Sequence, residues 1–147
     1  MNYATALTLA TLGGLVLPLQ VLINARLSQG LNHPLWAVTV SFVVGTLGLL
    51  AWIALSSRDA ANWANAASLP WWAWVGGLLG AAYVTFTIVT VPVLGATALV
   101  LLIILGQMVS GTLLDHFGIL TEQKPITLIK LAGLALVFIG TWLVVRQ

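Results

Sequence analysis

The feature that most constrains this chain is where its charges lie. Its eight Asp, Glu, Lys and Arg side chains (Arg26, Arg58, Asp59, Asp115, Glu122, Lys124, Lys130 and Arg146) fall in or beside short connectors. Between them run apolar stretches at about residues 4–23 (or a turn further), 34–55, 70–91, 95–114 and 126–145. An α-helix rises ~1.5 Å per residue, so about 20 apolar residues cross the ~30 Å hydrocarbon core of a bilayer. Lipid cannot satisfy exposed backbone N–H and C=O groups, so such stretches are helices. The expected fold is all-α integral membrane, a single domain of five transmembrane helices over residues 1–147.

Composition excludes the soluble alternatives. Charged residues make up 5% of the chain and hydrophobic ones 61%, against about 25% charged in a soluble domain. Five Lys and Arg against three Asp and Glu form no basic cluster, so nucleic acid is not an expected partner. The lipid bilayer is. Cysteine is absent, and the two histidines, His33 and His116, are too few for a His-ligated metal site without carboxylates beside them, so no metal or cofactor is expected. No GxSxG, HExxH or Walker sequence occurs, and the chain does not read as an enzyme. The Met1-Asn2-Tyr3-Ala4 start has no positively charged region of a signal peptide, so the first stretch is expected to be retained.

Helix ends are marked locally. Pro34 and Pro70 sit where a missing N–H is harmless. Trp36, Trp52, Trp63, Trp71, Trp72, Trp74 and Trp142 lie near helix ends or in a connector, at the headgroup level that tryptophan favours. Val91-Pro92-Val93-Leu94 followed by Gly95 predicts a tight hairpin between the third and fourth spans. Gly76 with Gly80, Gly45 with Gly48, Gly106 with Ser110, and Gly133 with Gly140 put small residues inside the spans. Close backbone approach of this kind drives helix packing in lipid.

Five spans place the termini on opposite sides. Arg58, Lys124 and Lys130 then face one side, Arg26 and Arg146 the other. Three against two is too small a bias to fix orientation. A single orientation with the N-terminus in the cytoplasm and insertion in both orientations stay open. The second would let antiparallel copies of one short chain build an inverted-repeat transporter.

No acidic residue lies in the middle of a span. The polar candidates are amides. Gln20 and Asn24 lie four apart on one helical face, and Gln107 lies near the centre of the fourth span, followed by Gly111 and Asp115 at four-residue steps. An amide in hydrocarbon must find a partner. It either glues helices together or lines a cavity for a small polar or amphipathic solute. Tyr83 could add a hydroxyl to such a cavity, as could Thr85, Thr87 and Thr90, although threonines in membrane helices more often bond their own backbone. Asp115 is the carboxylate nearest the end of a span and the candidate for coupling or gating. Arg26 is its candidate counterpart, on the opposite membrane face within one chain and on the same face in an antiparallel pair.

These pieces together resemble a known group. Pro-Leu-Gln-x-x-x-Asn at 18–24, Pro-Trp-Trp-Ala-Trp-Val-Gly-Gly-Leu-Leu-Gly-Ala at 70–81, Val-Pro-x-Leu-Gly-Ala at 91–96 and Gly-Gln-x-x-x-Gly-x-x-x-Asp-x-x-Gly at 106–118 resemble the YdcZ-like group of the drug/metabolite transporter superfamily. The resemblance covers essentially the whole chain. It implies half of an inverted-repeat transporter in the inner (cytoplasmic) membrane. Such a chain would pair as an antiparallel homodimer or as a hetero-pair with another half-size chain, and move a small-molecule solute by alternating access. Shorter relatives work around a membrane glutamate in their first helix, where this chain has the neutral Gln20 and Asn24. The competing expectation is a non-transporting accessory or assembly subunit.

Overall fold

The computed structural model describes residues 2–56 and 63–146. Arg58, one of the basic residues in the orientation count, lies outside the described residues. Those described are helical or irregular, with no strand among them. Four long helices follow one another: α1 (Tyr3–Leu31), α2 (Pro34–Ser56), α3 (Gly76–Phe117) and α4 (Leu128–Val145). Each is long and apolar enough to cross a membrane. The 42 residues of α3 are two helical arms, 76–94 and 96–117, joined at Gly95, whose φ of 74° and ψ of 163° are not helical. Each arm alone matches the length of one crossing.

The boundaries differ from the sequence expectation at four places. Helix α1 continues two turns past residue 23 to Leu31. It ends where Asn32 takes a left-handed conformation and the N–H groups of Asn32 and His33 return to the carbonyls of Gln29 and Ser28. That is a Schellman closure, and it leaves only Asn32 and His33 between α1 and α2. Residues 71–74 do not start the third span. They form a 3₁₀ turn that follows the extended Pro70, and α3 begins at Gly76. Pro92 does not break α3, which stays helical as far as Gly95. The second arm runs to Phe117 and so takes in Asp115 and His116. Gly118, at a φ of 64°, closes it with the N–H of Ile119 on the carbonyl of Leu114 at 2.9 Å.

The chain divides into two compact units, Met1–Pro92 and Val93–Gln147. In the first, α1 packs on α2. Its core is Ala37 and Val38 of α2 with Val84 and Ile88 of α3, covered by Leu27, Ala81 and Tyr83. Gly80 admits the ring of Phe42: a Cβ there would stand 3.5 Å from it. The buried residues of α1 and α2 (Val21, Asn24, Ala25, Ala37 and Val38) all lie toward the Asn32–His33 connector. In the second unit, α4 opens on Thr127, whose hydroxyl accepts from the N–H of Lys130 at 3.2 Å. Its preceding connector is tied down by the N–H of Lys124, which donates to the carbonyl of Asp115 at 2.8 Å.

Candidate functional site

In the first unit, Asn24 is 4% exposed, and its Nδ2 has no hydrogen-bond partner among the described residues. Leu27, one turn further along α1, packs on the cluster that half-buried Tyr83 also covers. Tyr83 therefore covers this core, while Asn24 is buried one turn away along α1 from Leu27. Gln20 does not join them. Although it is one turn before Asn24, it is exposed, because α1 turns inward only from Val21 onward. Thr85, Thr87 and Thr90 donate to the carbonyls of Ala81, Val84 and Phe86 at 2.7, 2.8 and 2.6 Å. Their hydroxyls are spent on their own helix.

Arg26 lines a groove of about 260 Å³ between the end of α1 and the first arm of α3. Leu22, Ala25 and Gln29 share one wall with it, and Val91 and Pro92 form the other. The guanidinium donates from Nη1 to Oε1 of Gln29 at 3.4 Å. A larger groove of about 390 Å³ lies against α2 and is lined by Val38, Thr39, Phe42, Val43, Thr46, Leu47 and Ala81. None of the polar candidates lines it.

In the second unit, Gln107 is exposed on the second arm of α3. Asp115, in the last turn of that arm, is bridged by Lys130 of α4, with 3.7 Å between Nζ and Oδ2. Sequence reasoning placed Asp115 but missed this partner. The signal was available, because Lys130 stands in the first turn after the connector that Asp115 opens. Thr141 was also missed. It is 3% exposed, and its Oγ1 has no hydrogen-bond partner among the described residues. It lines a small groove of about 170 Å³ with Leu102, Leu105 and Phe138.

Residues 5–143 match the family described as "Putative inner membrane exporter, YdcZ". The chain belongs to this family. The inner membrane protein YdcZ of Escherichia coli (strain K12) is 25% identical over 149 residues, covering 100% of this chain and 99% of that protein. No solved structure matches. Membership of the YdcZ family, together with four long apolar helices, makes this a multi-pass inner-membrane protein of a transporter family.

Proposed function

We propose that the chain is a half-size exporter of a small solute, with two antiparallel copies enclosing the solute path and alternating access around it. The observation that carries this reading is the exposure of Gln20 and Gln107 on helices that are otherwise apolar. A primary amide facing hydrocarbon forfeits its hydrogen bonds to water, which is costly unless another protein surface or an aqueous cavity meets it. A second copy supplies both. At the small residues Gly45, Gly48, Gly106, Gly133 and Gly140 an added Cβ would meet nothing within 4 Å among the described residues, which leaves flat faces for close helix approach. On this reading Gln20, Asn24, Gln107 and Tyr83 line the solute path. Asp115, held by Lys130, is the coupling or gating carboxylate, and Arg26 stands at the mouth. A second half-size chain in place of the second copy is the variant of the same scheme.

The test is orientation. Gln29 and Asn65 flank α2 on either side, and the chain has no native cysteine. Single cysteines at each position are labelled from outside intact cells by an impermeant maleimide. Substantial labelling of both positions is expected. Labelling of one position alone excludes the antiparallel homodimer and turns the search to a partner chain. Purified protein in liposomes that moves no solute in either arrangement favours the accessory-subunit role.

A further inference from the structure

The groove at Arg26 carries a charge sign. Arg26 is the one charged side chain among the described residues of the first unit, which contain no Asp or Glu. The guanidinium offers five N–H donors and no acceptor, and among the described residues it makes one long bond, to Gln29. Around it the groove walls are Leu22, Ala25, Val91 and Pro92. Pro92 adds no N–H, and Leu22 is 47% exposed, so the groove is open. Its volume lies just below the ~300–1,000 Å³ of typical ligand pockets.

We infer that this groove binds a small amphipathic anion, a carboxylate or phosphate carried on a compact apolar body. The anion pairs with Arg26 and Gln29, and the apolar body lies along Leu22, Val91 and Pro92. Planar bidentate pairing is what a guanidinium provides and an ammonium does not. A cationic solute finds no carboxylate among the described residues of this unit to offset its desolvation, and it meets a like charge at the mouth. The inference deepens the transport reading by naming the solute's sign. Binding itself is measurable whether or not transport follows.

The experiment is equilibrium dialysis of the purified protein in a neutral maltoside detergent. The probes are 1-naphthoate and the matched cation 1-naphthylmethylammonium, with protein-free micelles subtracted. The expected result is saturable binding of naphthoate and none of the cation. Arg26→Gln is expected to weaken naphthoate about tenfold or more, as befits loss of a charge-assisted pair, with partial recovery in Arg26→Lys. Leu22→Trp fills the groove while keeping the charge, and it is expected to abolish binding too. Binding of the cation as tight as the anion, or naphthoate binding unchanged in Arg26→Gln, overturns the assignment. Displacement of naphthoate by short-chain phosphatidylglycerol, but not by phosphatidylcholine, gives the groove to a lipid headgroup and overturns a free solute. Naphthoate that binds as expected but is not moved across liposomes leaves this site standing and removes the transport reading instead.

Discussion

Asp115 and Lys130 face each other across the connector between α3 and α4, 3.7 Å apart and each 37% exposed. Exposed pairs of this kind contribute about 0–1 kcal/mol. The backbone around them carries more of the order: the Asp115 carbonyl accepts from Lys124, and the side-chain amide of Gln123 donates to the carbonyl of His116 at 3.1 Å. Asp115→Asn is therefore expected to lower the unfolding free energy by less than about 1 kcal/mol. If the carboxylate couples or gates transport, the same variant loses flux in liposomes while the charge-swapped double variant Asp115→Lys with Lys130→Asp does not recover it. Full recovery by the swap assigns the pair a structural role only.

Gln107→Leu is expected to abolish transport with little loss of folded protein. The amide is exposed on its own chain, so removing it leaves no intrachain partner stranded. Size-exclusion yield after membrane extraction reads folding, and flux in liposomes reads function. A large loss of folded protein instead identifies the amide as glue between helices.

Asn24→Leu separates packing from function at the buried amide. The Nδ2 group has no partner among the described residues, and removing an unsatisfied buried donor in favour of an apolar side chain of similar volume is near neutral or stabilising. The melting temperature in detergent is expected to hold or rise. Flux is expected to fall about tenfold or more if the amide contacts solute, by the loss of a hydrogen bond worth ~1.5 kcal/mol. A lowered melting temperature contradicts this account.

Gly95→Ala tests the break in α3. At φ 74° and ψ 163° the backbone sits in a region that side-chain-bearing residues essentially avoid, at about 1–3 kcal/mol. Nothing stands within 4 Å of the place a Cβ would take, so the expected destabilisation is conformational and not steric. The unfolding midpoint reads it. Ala96→Gly, on the helical side, serves as the control and costs about 1 kcal/mol or less. Equal midpoints for Gly95→Ala and the parent chain contradict the strained geometry.

Much of the architecture was legible because hydrocarbon enforces it: an apolar stretch of the right length has only one stable backbone in lipid. Helix ends were less so. The continuation of α1 to Leu31 depends on Asn32 accepting a left-handed φ of 52°, which asparagine tolerates but does not announce. Pro92 is a break signal in water, yet α3 runs through it, because membrane helices accommodate proline. The polar candidates were legible as residue types, but not in their surroundings. Gln20 and Asn24 share a face by spacing, and only one of them is buried. Thr141 looked like Thr85, Thr87 and Thr90, and it alone of these four leaves its hydroxyl unpaired.

The first unit is packed unevenly along its length. Val21 to Val38 hold all of the side chains that α1 and α2 bury, on either side of a two-residue connector, whereas residues 3–17 and 40–56 bury none. The connector end of this unit is therefore knit by its own side chains, and the far ends of α1 and α2 are not. Amide hydrogen exchange follows the free energy of local opening, so it should rise steadily from the connector toward Tyr3 and Ser56. A thinner or more disordered bilayer should loosen the far ends first.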